Sequence, residues 1–245
     1  MERGFYTLGS GMLTQSRILT AISNNLANSE TPGYKKEDVS ATTFGNMFIS
    51  RVDEQTTPIG SLTLGTAADR MNVIHSQGAL KDTQRPLDFA IQGEGFYAVQ
   101  GTAGTVYTRN GSFNVDQDGY LILKNVGRVL GQNGPIRVGT DQFTADGQGN
   151  LSVNGRVVDK IAVYNFADYN TLRMTGEGMF TAAGGAATLV QNPNVMWKTI
   201  EGSNVDPAQE MTNALALQRS LQSCSQAIKM YDQVMAKSVT DIAKL

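Results

Sequence analysis

The sequence predicts an α+β protein in which long N- and C-terminal heptad helices pack together as a coiled-coil-like stem, with an all-β body inserted between them. Three observations lead there. Apolar residues recur in alternating steps of three and four at both ends of the chain. Between the ends, Asn-Gly and Asp-Gly dipeptides punctuate short alternating apolar runs. After Pro207 no Pro or Gly interrupts the chain, so the last stretch can run as one helix. The expected boundaries are residues 1–34 for an N-terminal helix and turn, 35–85 for an extended connector, 86–200 for the β-rich body and 201–245 for the C-terminal helix.

The N-terminal seam is Phe5, Leu8, Met12, Gln15, Leu19, Ile22 and Leu26. Gln15 is its polar member, and a polar seam residue fixes register at some loss of stability. The helix should stop near Asn28, because Thr31-Pro32-Gly33 breaks the pattern. Between Arg3 and Glu30 its only charge is Arg17. A free surface helix carries charge on its outer face, whereas a polar but uncharged face can pack on protein without burying unpaired ions.

Residues 37–85 are rich in Thr, Ser and Gly with weak periodicity; Ser61–Leu64 and Met71–Ile74 are short strand candidates. The body then shows Phe89/Ile91, Phe96–Val99, Val106–Thr108, Phe113/Val115 and Tyr120–Leu123 between the turns Asn110-Gly111, Asp118-Gly119, Asn133-Gly134, Asp146-Gly147 and Asn154-Gly155. Such spacing reads as a sandwich or barrel-like β body. Val195–Ile200 returns as a strand. Asp206 then caps, Pro207 occupies the first helical position and Gln209 stands at the capping-box position. The C-terminal seam is Ala214, Leu217, Leu221, Cys224, Ile228, Tyr231, Met235, Ser238, Ile242 and Leu245, a helix of roughly 55–60 Å.

Charged residues make up 17%, a low value that favours surfaces meant to be covered. A net charge of −2 without basic clusters excludes an electrostatic case for nucleic acid. No apolar run approaches a membrane span, and the start lacks the pattern of a cleavable secretory signal. One cysteine, Cys224, leaves no internal disulfide and lies on the seam. His75 is the only histidine, too isolated for a metal site or a triad. Asn114, Asp116, Asp118 and Gly119 loosely resemble a calcium loop, but their flanks are strands and the later Glu is missing. Gly93-Glu94-Gly95 lacks the helix of a dinucleotide site. No catalytic set, cofactor site or metal site is expected. The opposing reading, a β-scaffold enzyme or carbohydrate-binding module, needs Asp88, Glu94, Asp116 and Asp118 to converge in space.

Several segments carry a resemblance. Ser23-Asn24-Asn25-Leu26-Ala27-Asn28, with Thr31-Pro32-Gly33-Tyr34-Lys35, resembles the N-terminal signature of the bacterial flagellar rod and hook proteins. Pro86–Ile91 with Gly93–Phe96, then Tyr107–Phe113 and Asp118–Leu121, resembles the entry to their β domain. Glu201-Gly202-Ser203-Asn204-Val205, Glu210-Met211 and Gln218-Arg219 resemble their C-terminal signature. The resemblance covers most of the chain. It implies a structural subunit of the basal-body rod whose terminal helices polymerise, homo- and hetero-oligomerically, into the axial tube that transmits torque and passes exported subunits. It implies as partners other rod subunits, adjacent hook and basal-body proteins and the flagellar type III export apparatus, with no nucleic acid and no direct membrane insertion. It also implies a place in the flagellum basal body, reached without a cleaved signal. Val129–Ile136 resembles the proximal-rod type more than the distal-rod type, and the outer-domain sequence of a hook subunit has no counterpart here.

Overall fold

The computed structural model describes residues 2–52, 56–102, 104–176 and 178–242. They fall into two compact units. A helical unit comprises Met1–Leu26, Glu37–Val73 and Asp206–Leu245; a β unit comprises Ala27–Lys36 and Ile74–Val205.

The helical unit holds α1 (Glu2–Ala27), the strands β1 (Glu37–Val52) and β2 (Thr56–Val73), and at its C-terminal end α2 (Pro207–Ile242). Asp206 caps α2: its Oδ1 accepts from the backbone N–H of Ala208 at 3.0 Å and of Gln209 at 3.4 Å. Gln209 does not send its amide back to close a capping box; its Nε2 donates to Asn213 at 3.0 Å. The two helices run antiparallel in a single register. The Gln15 amide donates to Ser220 Oγ at 2.8 Å, and the Asn25 amide donates to Glu210 at 3.3 Å. A methyl group on Gly4 would meet the Tyr231 hydroxyl at 2.8 Å. Each step up α1 is therefore matched by an equal step down α2.

The expected seam faces inward only in part. Ile22 is buried, while Leu8, Met12, Gln15, Leu19, Leu26, Leu217, Leu221, Cys224 and Ile228 are half-buried. Phe5 is 50%, Tyr231 40% and Met235 41% exposed, and the side chain of Ile242 lies outside the described residues, as does Leu245. A closed coiled coil would bury these positions throughout. Here the seam closes toward Asn25 and Glu210 and opens toward the start of α1.

Residues 37–73, expected as connector, form a hairpin instead. β1 pairs antiparallel with β2 from Glu37↔Val73 to Val52↔Thr56, with irregularities between Val39 and Ala41 and between Ile49 and Ser50. Its pairing rests on backbone hydrogen bonds, which need no apolar alternation, so a Thr/Ser/Gly-rich sequence hides it from a pattern search. Thr14 Oγ1 donates to Thr66 O and Thr66 N–H donates to Ser10 Oγ, both at 3.4 Å, holding β2 to α1.

The β unit runs through β3 (Leu80–Asp82), β4 (Phe89–Ile91), β5 (Phe96–Gly101), β6 (Gly104–Thr108), β7 (Asn114–Val115), β8 (Leu121–Leu123), β9 (Gly127–Gly131) and β10 (Gly134–Pro135). It continues with β11 (Thr144–Ala145), β12 (Asn150–Val153), β13 (Arg156–Lys160), β14 (Val163–Asn165), β15 (Leu172–Gly176), β16 (Met179–Ala182), β17 (Thr188–Leu189), β18 (Val195–Trp197) and β19 (Thr199–Glu201). The main sheet has the order β15-β16-β6-β5-β9-β8-β7, with β14 also on β5. β11-β12-β13 form a second sheet, and β18 and β19 return to pair with β4 and β3. Phe89, Tyr97, Phe113, Leu121, Val129 and Leu151 lie at the centre of the core.

The body contains an internal repeat. Phe113-Asn114-Val115-Asp116-Gln117-Asp118-Gly119-Tyr120-Leu121 and Phe143-Thr144-Ala145-Asp146-Gly147-Gln148-Gly149-Asn150-Leu151 share one pattern. Asp116 Oδ1 accepts from the N–H of Asp118 and Tyr120; Asp146 Oδ1 accepts from the N–H of Gln148 and Asn150. Val115↔Leu121 is matched by Ala145↔Leu151. The aspartate makes the turn because its carboxylate satisfies two N–H groups that the tight reversal leaves without strand partners.

Candidate assembly elements and the buried junction

The turn at Thr31–Lys36 is locked into the β unit by backbone geometry and charge. Gly33 has φ +70°, and a side chain there would meet the Arg109 carbonyl carbon at 2.3 Å, so the position needs glycine twice over. Its N–H donates to Glu201 O at 2.8 Å. Tyr34 is fully buried. Lys35 Nζ donates to Glu201 Oε1 at 2.5 Å and to Ser76 O at 2.7 Å. Arg109 Nη1 donates to Glu201 Oε2 at 3.1 Å, and its Nη2 donates to Gly93 O at 2.6 Å. Gly78 N–H completes the carboxylate at 2.9 Å.

Two cations therefore share one carboxylate, and all three side chains are at most 5% exposed. Burial lowers the Lys35 pKa, the Glu201 charge opposes that, and Arg109 adds to the lowering. His75 sits among Phe96, Tyr169 and Phe180, with ring centroids 4.9–5.8 Å away. Burial, assisted by Lys35 and Arg109, pushes its pKa down to about 4, so it is neutral at pH 7. Asn204 ties the same region: its Oδ1 accepts from Lys36 N–H at 2.7 Å, while its Nδ2 donates to Ile74 O at 2.7 Å and to Ser76.

In the helical unit the matching device is Asn25, 1% exposed. Its amide donates to Glu37 O at 2.8 Å and accepts from Glu37 N–H at 2.9 Å, while also reaching Glu210. Asn24 Nδ2 donates to Glu37 Oε2 at 3.0 Å. Asn24, Asn25 and Glu210 thus join α1, β1 and α2. Asn28 O accepts from Thr31 N–H, Ser203 Oγ accepts from Val205 N–H, and Val205 is buried. Leu26 and Pro32 are half-buried, and Ala27, Met211, Gln218 and Arg219 are exposed.

The carboxylates considered for catalysis do not converge on one site, and only Asp116 and Asp118 share a partner. Asp88 accepts from Thr83, Arg85 and Ser112; Glu94 accepts from Asn165; Asp116 and Asp118 pair with Arg128. Among the described residues no cluster of three His, Cys, Asp or Glu could hold a metal, and no helix is long and apolar enough to cross a membrane. Sequence reasoning did not single out Lys35, Arg109 and Glu201 as an ion cluster. The available signal was a charge within each of the three resembling segments.

Residues 5–35 match the family model described as flagella basal body rod protein, residues 90–140 that of the flagellar hook protein FlgE/F/G D1 domain, and residues 198–241 that of the flagellar basal body rod FlgEFG protein C-terminal. The flagellar basal-body rod protein FlgG of Bacillus subtilis (strain 168) is 30% identical over 260 residues, covering 98% of each chain. The chain belongs to the flagellar basal-body rod protein family. FlgG of Caulobacter vibrioides is 32% identical over 94% of this chain and 95% of its own. The flagellar hook-basal body complex protein FlhO of Bacillus subtilis is 28% identical over the whole of both chains. The three matched segments of this rod-family chain meet in the junction: Lys35 comes from the first, Arg109 from the second and Glu201 from the third.

Proposed function

We infer that this chain is a structural subunit of the bacterial flagellar basal-body rod, polymerising through its terminal helices into the axial tube that transmits torque and passes exported subunits. The observation that carries the reading is the apolar surface left open on the helices. Phe5, Tyr6 and Leu13 on α1, and Met211, Leu215, Met230, Val234, Met235 and Val239 on α2, are 41–66% exposed. Large apolar side chains left exposed in this number mark an interaction face. The half-closed seam supports a coiled-coil-like stem completed by neighbouring subunits. The partners are then other rod and basal-body proteins, and delivery is through the flagellar type III export apparatus.

Within the rod we propose the proximal type, on Val129–Ile136. FlgG-named relatives match at 29–32% identity and FlgF-named ones at 27–28%, a difference of only a few per cent between the two names.

The test is Leu221→Asp. Leu221 is half-buried on the seam, and a carboxylate there has no partner. The variant should keep wild-type Trp197 fluorescence, a probe of the β unit, while losing sedimentable oligomers and motility. Normal assembly with normal motility would remove Leu221 from the seam.

A further inference from the structure

The β unit carries a small pocket of about 230 Å³ with two kinds of wall. Asn110, Asn114 and Lys124 line it on the polar side, and Leu123, Val126 and Met179 on the apolar side. The volume is below the roughly 300 Å³ at which ordinary small-molecule sites begin, so it suits one polar head on a short stem.

Local sequence fixes each polar group. Asn110 leads the Asn110-Gly111 turn, and its Oδ1 accepts from Ser112 N–H at 3.0 Å. Asn114 opens β7, and its Oδ1 accepts from Arg85 Nη2. Lys124 holds the second position of the turn Leu123–Val126, which closes through Val126 N–H donating to Leu123 O at 3.1 Å. Asn125, at φ +62°, supplies the left-handed third position of that turn. Both asparagines therefore engage their oxygen within the fold, and what each has left is its NH₂ donor. Neither Nδ2 is a buried atom, and among the described residues neither it nor Lys124 Nζ has an acceptor. No acidic residue lines the pocket. The carboxylate that touches this wall from behind is Asp88, which accepts from Ser112 Oγ at 3.1 Å. Asp88 is 5% exposed and its charge is already met by Arg85 Nη1 at 3.3 Å.

We propose that this pocket binds a carboxylate carried on a short aliphatic stem. A carboxylate brings two oxygens with about four acceptor sites and no donor of its own, which matches two amide donors and one ammonium. The ammonium makes the contact charge-assisted. Leu123, Val126 and Met179 cover the stem, whereas a phosphate or sulfate would be stripped of water on that side without compensation. The proposal is independent of the rod-subunit reading. A free small acid and a glutamate side chain of another polypeptide share this chemistry, and the experiment separates them.

The experiment titrates the isotope-labelled full chain with n-butyrate and follows the side-chain amide resonances of Asn110 and Asn114. Both should move saturably, with half-saturation in the millimolar range. Butyramide, which has the same shape without the charge, should bind at least tenfold more weakly. Asn114→Asp keeps the oxygen that Arg85 donates to and turns the second donor into an acceptor, so it should abolish the shift at Asn110. Lys124→Gln, at an exposed position, should weaken butyrate severalfold with an unchanged urea midpoint. Butyramide binding as tightly as butyrate, inorganic phosphate binding more tightly than butyrate, or no saturation by about 50 mM overturns the proposal. So does full butyrate affinity in a folded Lys124→Gln chain. A capped Gly-Glu-Gly tripeptide that binds more tightly than butyrate assigns the site to a polypeptide's glutamate; one that binds more weakly assigns it to a free acid.

Discussion

Replacing Glu201 with Gln tests whether the junction is held by charge or by shape. The substitution keeps the volume and removes the one carboxylate that Lys35 and Arg109 share. Arg109 cannot respond by losing its proton. Lys35 can, and from an unfolded pKa of 10.5 its neutralisation at pH 7 is limited to about 5 kcal/mol, at 1.36 kcal/mol per unit. Removing one partner of a buried ion pair costs about 3–5 kcal/mol, so both routes give the same range.

The assay is urea unfolding followed by Trp197, the only tryptophan, which lies in β18 of the β unit. With a slope of about 2 kcal/mol/M, the midpoint should fall by about 2 M. The loss should also shrink toward pH 9. Below 10.5 the unfolded state holds the Lys35 proton that the folded variant has released, so stability rises with pH. A loss below about 1 kcal/mol, or one identical at pH 7 and pH 9, refutes the electrostatic account.

Gly33→Ala should destabilise the β unit by more than about 2 kcal/mol, since it combines a left-handed backbone with a Cβ 2.3 Å from the Arg109 backbone; a midpoint within error of wild type would mean that the turn relaxes freely. His75→Phe should abolish part of the acid sensitivity. The folded pKa of about 4 lies below the unfolded 6.5, so the contribution is complete above pH 6.5 and is lost as pH falls toward 4. The full shift corresponds to about 3.4 kcal/mol, discounted for partial exposure to roughly 1–2. Parallel stability curves for wild type and variant between pH 4 and 6.5 would remove His75 from that account.

How much of this was legible depended on sequence distance. The helix ends were readable because Asp206-Pro207 and Thr31-Pro32-Gly33 act locally. The Asp-Gly and Asn-Gly turns were readable for the same reason. The junction was not: Lys35 and Glu201 are 166 residues apart, and Arg109 and Glu201 are 92 apart, with no pattern linking them. The hairpin at 37–73 was hidden because its pairing does not require alternating burial. The openness of the seam was hidden too, because periodicity identifies a face and not what covers it. The repeat at 113–121 and 143–151 was readable in principle, since its Phe, Asp, Gly and Leu recur at a spacing of 30.

That repeat permits an internal control that no single position offers. Val129 in β9 and Val157 in β13 each follow a Gly-Arg pair in the strand after the repeat, 28 and not 30 residues apart because the second turn is shorter. β9 continues into the main sheet, where Val129 pairs with Val99 of β5 and is fully buried. β13 lacks a counterpart to β5 at this point, and Val157 is 66% exposed. Val→Thr keeps the β-branched shape and strand propensity and changes only the cost of desolvating a hydroxyl. Val129→Thr should therefore cost about 1–3 kcal/mol in urea unfolding, and Val157→Thr less than about 0.5 kcal/mol. The comparison holds local sequence nearly constant and varies only the neighbouring strand. Equal losses at the two positions would mean that the β13 surface is covered in solution. The exposure of Val157 would then belong to the isolated chain and not to the protein at work.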